Sequence, residues 1–100
     1  MSVYKIEIST LAEEEYSSAY TYYEAQQHGL GEKFEKEAEY LIDKLKVNPF
    51  LFQRKYKYYR EAILKRFPYF IVYEIIDNTI IIHSFFHAHR NPARKLKSRS

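Results

Sequence analysis

Cysteine and tryptophan are absent from the 100-residue chain, and methionine occurs once. Without cysteine there is neither a disulfide framework nor a thiolate metal site, which makes a reducing cytosol the expected compartment. No apolar run approaches the roughly 18 residues of a membrane span, and Met1 to Thr10 has neither the basic start nor the apolar stretch of a signal peptide. The expectation is a soluble, cytoplasmic protein with no membrane partner, cofactor or metal. A chain of this length buries enough surface to fold alone and seldom divides into two cores, so one domain is expected over residues 1–92, followed by a basic tail over 93–100.

What takes the place of the missing residues is tyrosine. Eleven Tyr and seven Phe must do much of the packing, and every buried phenol then needs a partner for its hydroxyl. Charge is divided along the chain. Up to Gln53 there are 5 Lys and Arg against 10 Asp and Glu, and from Arg54 onward 11 against 3. A basic half gathered on one surface attracts polyanions, whether nucleic acid or an acidic protein segment, through its field.

Val3 to Ile8 alternates with period two, predicting a strand with Tyr4, Ile6 and Ile8 inward. Thr10 and Glu13 stand at capping-box spacing, and Ala12, Tyr16, Ala19, Tyr20 and Tyr23 form the apolar stripe of a helix that Gly29 is expected to stop. Phe34, Ala38, Leu41 and Leu45, widened by Ile42, predict a second helix from Gly31 to Val47, ended by Asn48-Pro49. The short link between the two makes them antiparallel neighbours that need an apolar sheet beneath them. Phe50 to Tyr59 reads as a loop entering a strand over Tyr58 to Leu64, and Lys65 to Pro68 as a turn.

Tyr69 to Ile76 and Thr79 to His87 are almost wholly β-branched or aromatic and meet at Asp77-Asn78, two residues that tolerate positive φ and so suit a tight hairpin. Such a loop pairs Ile75 with Ile80, Tyr73 with Ile82, Ile71 with Ser84 and Tyr69 with Phe86 on one face. The opposite face pairs Glu74 with Ile81, Val72 with His83 and Phe70 with Phe85, and continues to His87. The first face is expected to meet the helices and the second to meet a partner. The whole predicts an α+β fold: an N-terminal strand, an antiparallel two-helix hairpin, and a three-stranded antiparallel segment completing one sheet, with the first strand joining parallel to a later one.

Three features bear on chemistry. His87-Ala88-His89-Arg90-Asn91-Pro92, with Arg60, supplies the residue types that 2′-hydroxyl attack on RNA requires: a base, a cation for the phosphorane and an acid. The same residues equally suit the binding of strand-edge carbonyls or an acidic partner. His83 and His87 are separated by about 13 Å of extended strand, too far for one metal ion, and no carboxylate lies near His87 and His89 in sequence, so no zinc site is expected. Lys55-Tyr56-Lys57-Tyr58-Tyr59-Arg60 alternates rings and cations as a single-strand nucleic-acid surface does, and also as a strand with packed tyrosines and solvated lysines does.

This order of elements, with Tyr59-Arg60 opening a strand, Phe67 to Ile75 as turn plus central strand, and the terminal His-x-His-Arg-Asn-Pro, resembles the RelE/ParE superfamily of toxins from bacterial type II toxin–antitoxin systems. The resemblance spans most of the chain. It implies a small cytoplasmic growth inhibitor, often associated with plasmid stabilisation, that a cognate antitoxin neutralises; it leaves a homodimer or a toxin–antitoxin hetero-oligomer open. Ribonuclease branches cut messenger RNA on the ribosome with a strand arginine and often a C-terminal tyrosine or histidine. Here Phe70 stands where they carry that arginine, and no tyrosine follows Pro92. The chain therefore looks closer to the ParE-like branch, whose members are associated with inhibiting DNA gyrase. That reading makes Arg60, Phe70, His83, Phe85, His87, Arg90, Arg94 and Lys95 the contact residues for target or partner, and leaves the catalytic set unknown. The alternatives are a ribosome-dependent endoribonuclease using Arg60, His87, His89 and Arg90, and an inactive relative that only binds an antitoxin.

Overall fold

The computed structural model describes residues 3–89. Seven elements follow in order: β1 (Lys5–Ile8), α1 (Thr10–Gln26), α2 (Leu30–Val47), β2 (Arg54–Tyr56), β3 (Tyr59–Ile63), β4 (Tyr69–Ile76) and β5 (Thr79–His87). The strands form one sheet in the order β1-β5-β4-β3-β2, in which β1 runs parallel to β5 and every other pair is antiparallel. The α+β architecture is the expected one, with β2 as an addition. The stretch read as a loop carries that short edge strand, and Lys57-Tyr58 reverse the chain into β3 with Lys57 at a φ of 52°.

The helices start and stop one step away from the expected signals. Ser9, not Thr10, caps α1: its hydroxyl accepts the Ala12 N–H at 3.0 Å and donates to the His83 carbonyl at 3.0 Å, while its own N–H continues the ladder to Ile82 O. One residue thereby ends β1, caps α1 and ties both to β5. Gly29 does adopt a left-handed φ of 89°, but as the residue before α2; α1 has already ended, with Gln27 extended. Glu24, in the last turn of α1, accepts the N–H groups of Gly29 and Gly31, each at 2.9 Å, and so caps the start of α2. Chiefly the Gly29 amide, with lesser help from Gly31 and His28, holds the Glu24 carboxyl below its usual range.

The core lies between the helical hairpin and the sheet and centres on Phe34. Its ring, fully buried, stands 5.4–5.6 Å from those of Tyr16, Tyr23, Phe67 and Tyr69. Edge-to-face and tilted pairs of this kind add about 0.5–1.5 kcal/mol each beyond area burial. Ala12, Ala19, Ala38, Leu41 and Leu45 complete the helical side as the spacing predicts, and Ile71, Tyr73, Ile80 and Ile82 the sheet side. Tyr4 and Ile6 pack against this cluster, whereas Ile8, expected inward, is exposed.

Gly31 is where the two helices approach most closely. A Cβ there would stand 2.9 Å from both the Tyr20 carbonyl oxygen and Glu24 Oε1. Alanine ordinarily improves a helix over glycine by about 1 kcal/mol. Gly31→Ala is expected to do the reverse and lower the thermal midpoint, because the backbone oxygen cannot move aside; a midpoint at or above that of the parent chain would show that the hairpin is not held this tightly.

Candidate functional site

The Asp77-Asn78 turn forms as expected, with Asp77 at a φ of 55°, and the first pairs hold: Ile76 with Thr79, Ile75 with Ile80, Glu74 with Ile81, Tyr73 with Ile82. A bulge then inserts one residue. Beyond it Val72 lies opposite Ser84, Ile71 opposite Phe85, Phe70 opposite Phe86 and Tyr69 opposite His87, so the expected partners of Tyr69 to Val72 are each displaced by one. His83 is the extra residue. Since side chains alternate along a strand, a one-residue insertion exchanges the two faces beyond it.

The bulge sits where β1 runs out. β1 pairs with β5 only as far as Ile8 and Ile82, and from there helix α1 supplies what the missing strand would. Glu15 accepts the Ser84 hydroxyl at 2.7 Å and the Phe85 N–H at 3.0 Å, satisfying a β5 edge that would otherwise be an unpaired donor. The sequence carried no signal for this role, because Glu15 reads as one acidic residue among three at the start of a helix.

The contact residues expected from sequence are therefore not on one face. Phe85 turns inward, 2% exposed, with its ring 5.1 Å from Tyr16; it belongs to the core and not to a contact surface. His87 also moves to the helix side, edge-on to Tyr69 at 5.0 Å, and its Nδ1 accepts the His89 N–H at 3.1 Å. Arg60 pairs with Tyr73 on the helix side, at the rim. Its guanidinium donates to the Phe52 carbonyl at 2.6 Å and lies over the Phe50 ring at 5.0 Å. Phe70 and His83 remain on the face turned away from the helices. Arg90, Arg94 and Lys95, and the tail over 93–100, lie outside the described residues.

The face turned away from the helices holds a polar group within apolar surroundings. His83 Nε2 is 2.8 Å from Glu74 Oε1, and the Tyr59 ring stands edge-on to the imidazole at 5.4 Å. Glu61, only 8% exposed, lies opposite Val72, the buried apolar residue that does not join the main core. A charged residue inside an otherwise apolar strand was the available signal for Glu74; its pairing with His83 was hidden because it crosses the hairpin diagonally at the bulge.

A second feature is a hollow of about 440 Å³ beside the β3–β4 turn, lined among others by Lys65, Arg66, Phe70 and His89. The His87 and His89 rings are 5.9 Å apart next to it. Among the described residues no group of three or more His, Asp or Glu side chains is placed to hold a metal ion.

A helical hairpin laid on one face of a five-stranded mixed sheet, with the first strand added parallel to the last, is the architecture of the small toxins of toxin–antitoxin pairs. The family model described as the ParE toxin of type II toxin-antitoxin system, parDE, matches residues 6–92, and the chain belongs to that family. Among solved structures, a chain of the chromosomal ParDE toxin–antitoxin system from P. aeruginosa has a similar fold, with a TM-score of 0.75 at 12% identity over 87% of this chain and 98% of that one. No curated protein matches the sequence.

The rim beside Arg60 also has a titratable consequence. Tyr73 is fully buried and its hydroxyl donates to the Pro49 carbonyl at 2.7 Å, anchoring the loop after α2. Burial pushes this phenol up from 10.0 to about 12, although the Arg60 charge pulls the other way. Tyr16 rises likewise to about 12, through burial and then the charges of Glu35 and Glu39. Between pH 10 and 12 the unfolded chain releases protons that the folded chain keeps, so stability falls as pH rises through this window. Tyr73→Phe is expected to reduce that alkaline slope by about half, while leaving the Pro49 carbonyl unsatisfied at a cost of about 1–3 kcal/mol at neutral pH. Denaturant titrations at pH 8 and 11 measure both, and an unchanged slope would count against Tyr73 as one of the two groups.

Proposed function

We propose that this chain is a growth-arresting toxin that acts by binding an essential target, with DNA gyrase favoured, and that a cognate antitoxin holds it silent in the cytoplasm. Membership of the ParE toxin family supports the toxin and the antitoxin. The observation that favours binding over catalysis is the dispersal of the groups an RNA-cleaving site would need. Arg60 lies opposite Tyr73 on β4 and His87 opposite Tyr69, which separates them by about 13 Å along the strands and two strand spacings across. The Arg60 guanidinium is moreover committed to Phe52 and Phe50. A base and a cation so placed do not meet at one phosphate. Phe70 and His83 on the face turned away from the helices, with His87 and the basic residues Arg90, Arg94 and Lys95 beyond it, are the proposed contacts. Fold alone does not assign a target, since one scaffold hosts several.

One observation favours a second reading, the ribosome-dependent endoribonuclease. His89 shares its hollow with Lys65 and Arg66, and His87 is adjacent, so histidines and cations do converge there even without Arg60. The two readings separate cleanly. Purified chain added to gyrase should block supercoiling or trap double-strand breaks while transcripts stay intact in a translating extract, and Phe70→Ala with His83→Ala should weaken this by roughly tenfold, as loss of two central contacts does. Message cleavage that disappears in His89→Ala would establish the ribonuclease instead. Normal growth on expression of the chain alone would leave only an antitoxin-binding relative.

A further inference from the structure

We infer that the groove between α2 and the β3–β4 turn is the docking site for an acidic amphipathic segment of the antitoxin, a proposal that rests on the antitoxin reading above. The groove has a volume of about 480 Å³ and two walls of like charge. One wall is a face of α2 carrying Lys33, Lys36 and Lys44; the other is the turn, with Lys65 and Arg66. Five cations stand against one carboxylate, and that carboxylate is already occupied. Glu37 accepts the backbone N–H of Lys65 and of Arg66, tying the turn to the helix and fixing the width of the groove. Between the walls the surface is apolar: Leu41, Phe52 and Leu64 form the floor, while Ile63 and Tyr40 stand at the edges, 52% and 63% exposed.

This combination selects its occupant. A row of cations alone would suit phosphates, but a nucleic-acid strand would leave the aliphatic floor uncovered and find one ring to stack on, Tyr40, which already carries the Lys44 ammonium at 5.0 Å. A helix or turn bearing Leu-like residues at helical spacing, flanked by Asp or Glu, fills the floor and pairs with both walls at once. The groove lies on the helix side of the molecule, apart from the His83–Glu74 pair proposed to face the target, so the antitoxin need not cover the target surface with this segment in order to hold on.

The test uses the complex of this chain with the antitoxin encoded beside it. Hydrogen exchange in the complex should be slowed over Lys33–Lys44 and Ile63–Arg66, and the double variant Lys36→Glu, Lys44→Glu, both surface positions outside the core, should weaken the complex by roughly tenfold or more through like-charge juxtaposition. Its circular dichroism and melting should match the parent, and its toxicity should escape the antitoxin. A complex that forms but leaves these segments exchanging freely, with the double variant bound as tightly as the parent, overturns the groove and leaves the antitoxin reading standing. Failure of the parent chain to form any complex overturns both. Loss of single-stranded DNA binding in the double variant with antitoxin affinity intact would likewise overturn the assignment in favour of nucleic acid.

Discussion

The packing of five aromatic rings around Phe34 is the contact on which the other elements depend. It draws one ring or more from α1, from α2, from the β3–β4 turn and from β4, and these are the four parts of the chain whose relative placement defines the molecule. Neither helix could stay folded without it, since each is a single amphipathic segment with no partner but the other helix and the sheet. Tyrosines can serve in such a cluster because each ring is apolar while its hydroxyl reaches outward. Tyr73 shows the other solution available to a phenol, full burial with a backbone acceptor aimed at it.

Around that centre, carboxylates do work that backbone ladders do elsewhere. Glu15 closes the edge of β5 beyond the end of β1, Glu24 caps α2 from the end of α1, and Glu37 holds the β3–β4 turn to α2. Each accepts backbone N–H groups that would otherwise lack a partner, and a carboxylate acceptor makes such bonds roughly twice as strong as a neutral one. The acidic first half of the chain therefore has an internal use: its charges are directed at backbone donors of the hairpin link, the turn and the last strand.

Much of this fold was legible from spacing. The Phe34, Ala38, Leu41, Leu45 stripe of α2, the tight turn at Asp77-Asn78, the pairing from Ile75–Ile80 to Tyr73–Ile82 and the parallel return of the first strand all follow from periodicity and turn chemistry. The bulge did not, and its cause is tertiary: β1 ends at Ile8, Ser9 and Glu15 take over as hydrogen-bond partners, and nothing in the run Ile82-His83-Ser84-Phe85 marks where that exchange happens. One displaced residue was enough to send Phe85 into the core and His87 to the helix side. Strand β2 was missed for a similar reason, since three residues interleaving rings and cations have no period long enough to read. For the site, residue types were legible and neighbourhoods were not. Arg60 was singled out correctly as unusual, but its engagement with Phe52 and Phe50 depends on how the loop after α2 returns to the sheet edge.

The strand order carries a consequence for how the chain comes to be folded. β5 lies between β1 and β4, so the first strand made has no neighbour until the last one exists, and their pairing joins residues more than seventy positions apart in sequence. Contacts of such long separation are formed late and slowly, because the loop between them must be closed first. The helical hairpin and the β3–β4 pair can assemble earlier from local contacts, yet the sheet is continuous only when Thr79 to Ile82 slot in between. A chain interrupted before that point keeps its helices and loses its first strand, which makes the final quarter of the sequence the step that commits the whole molecule to one state.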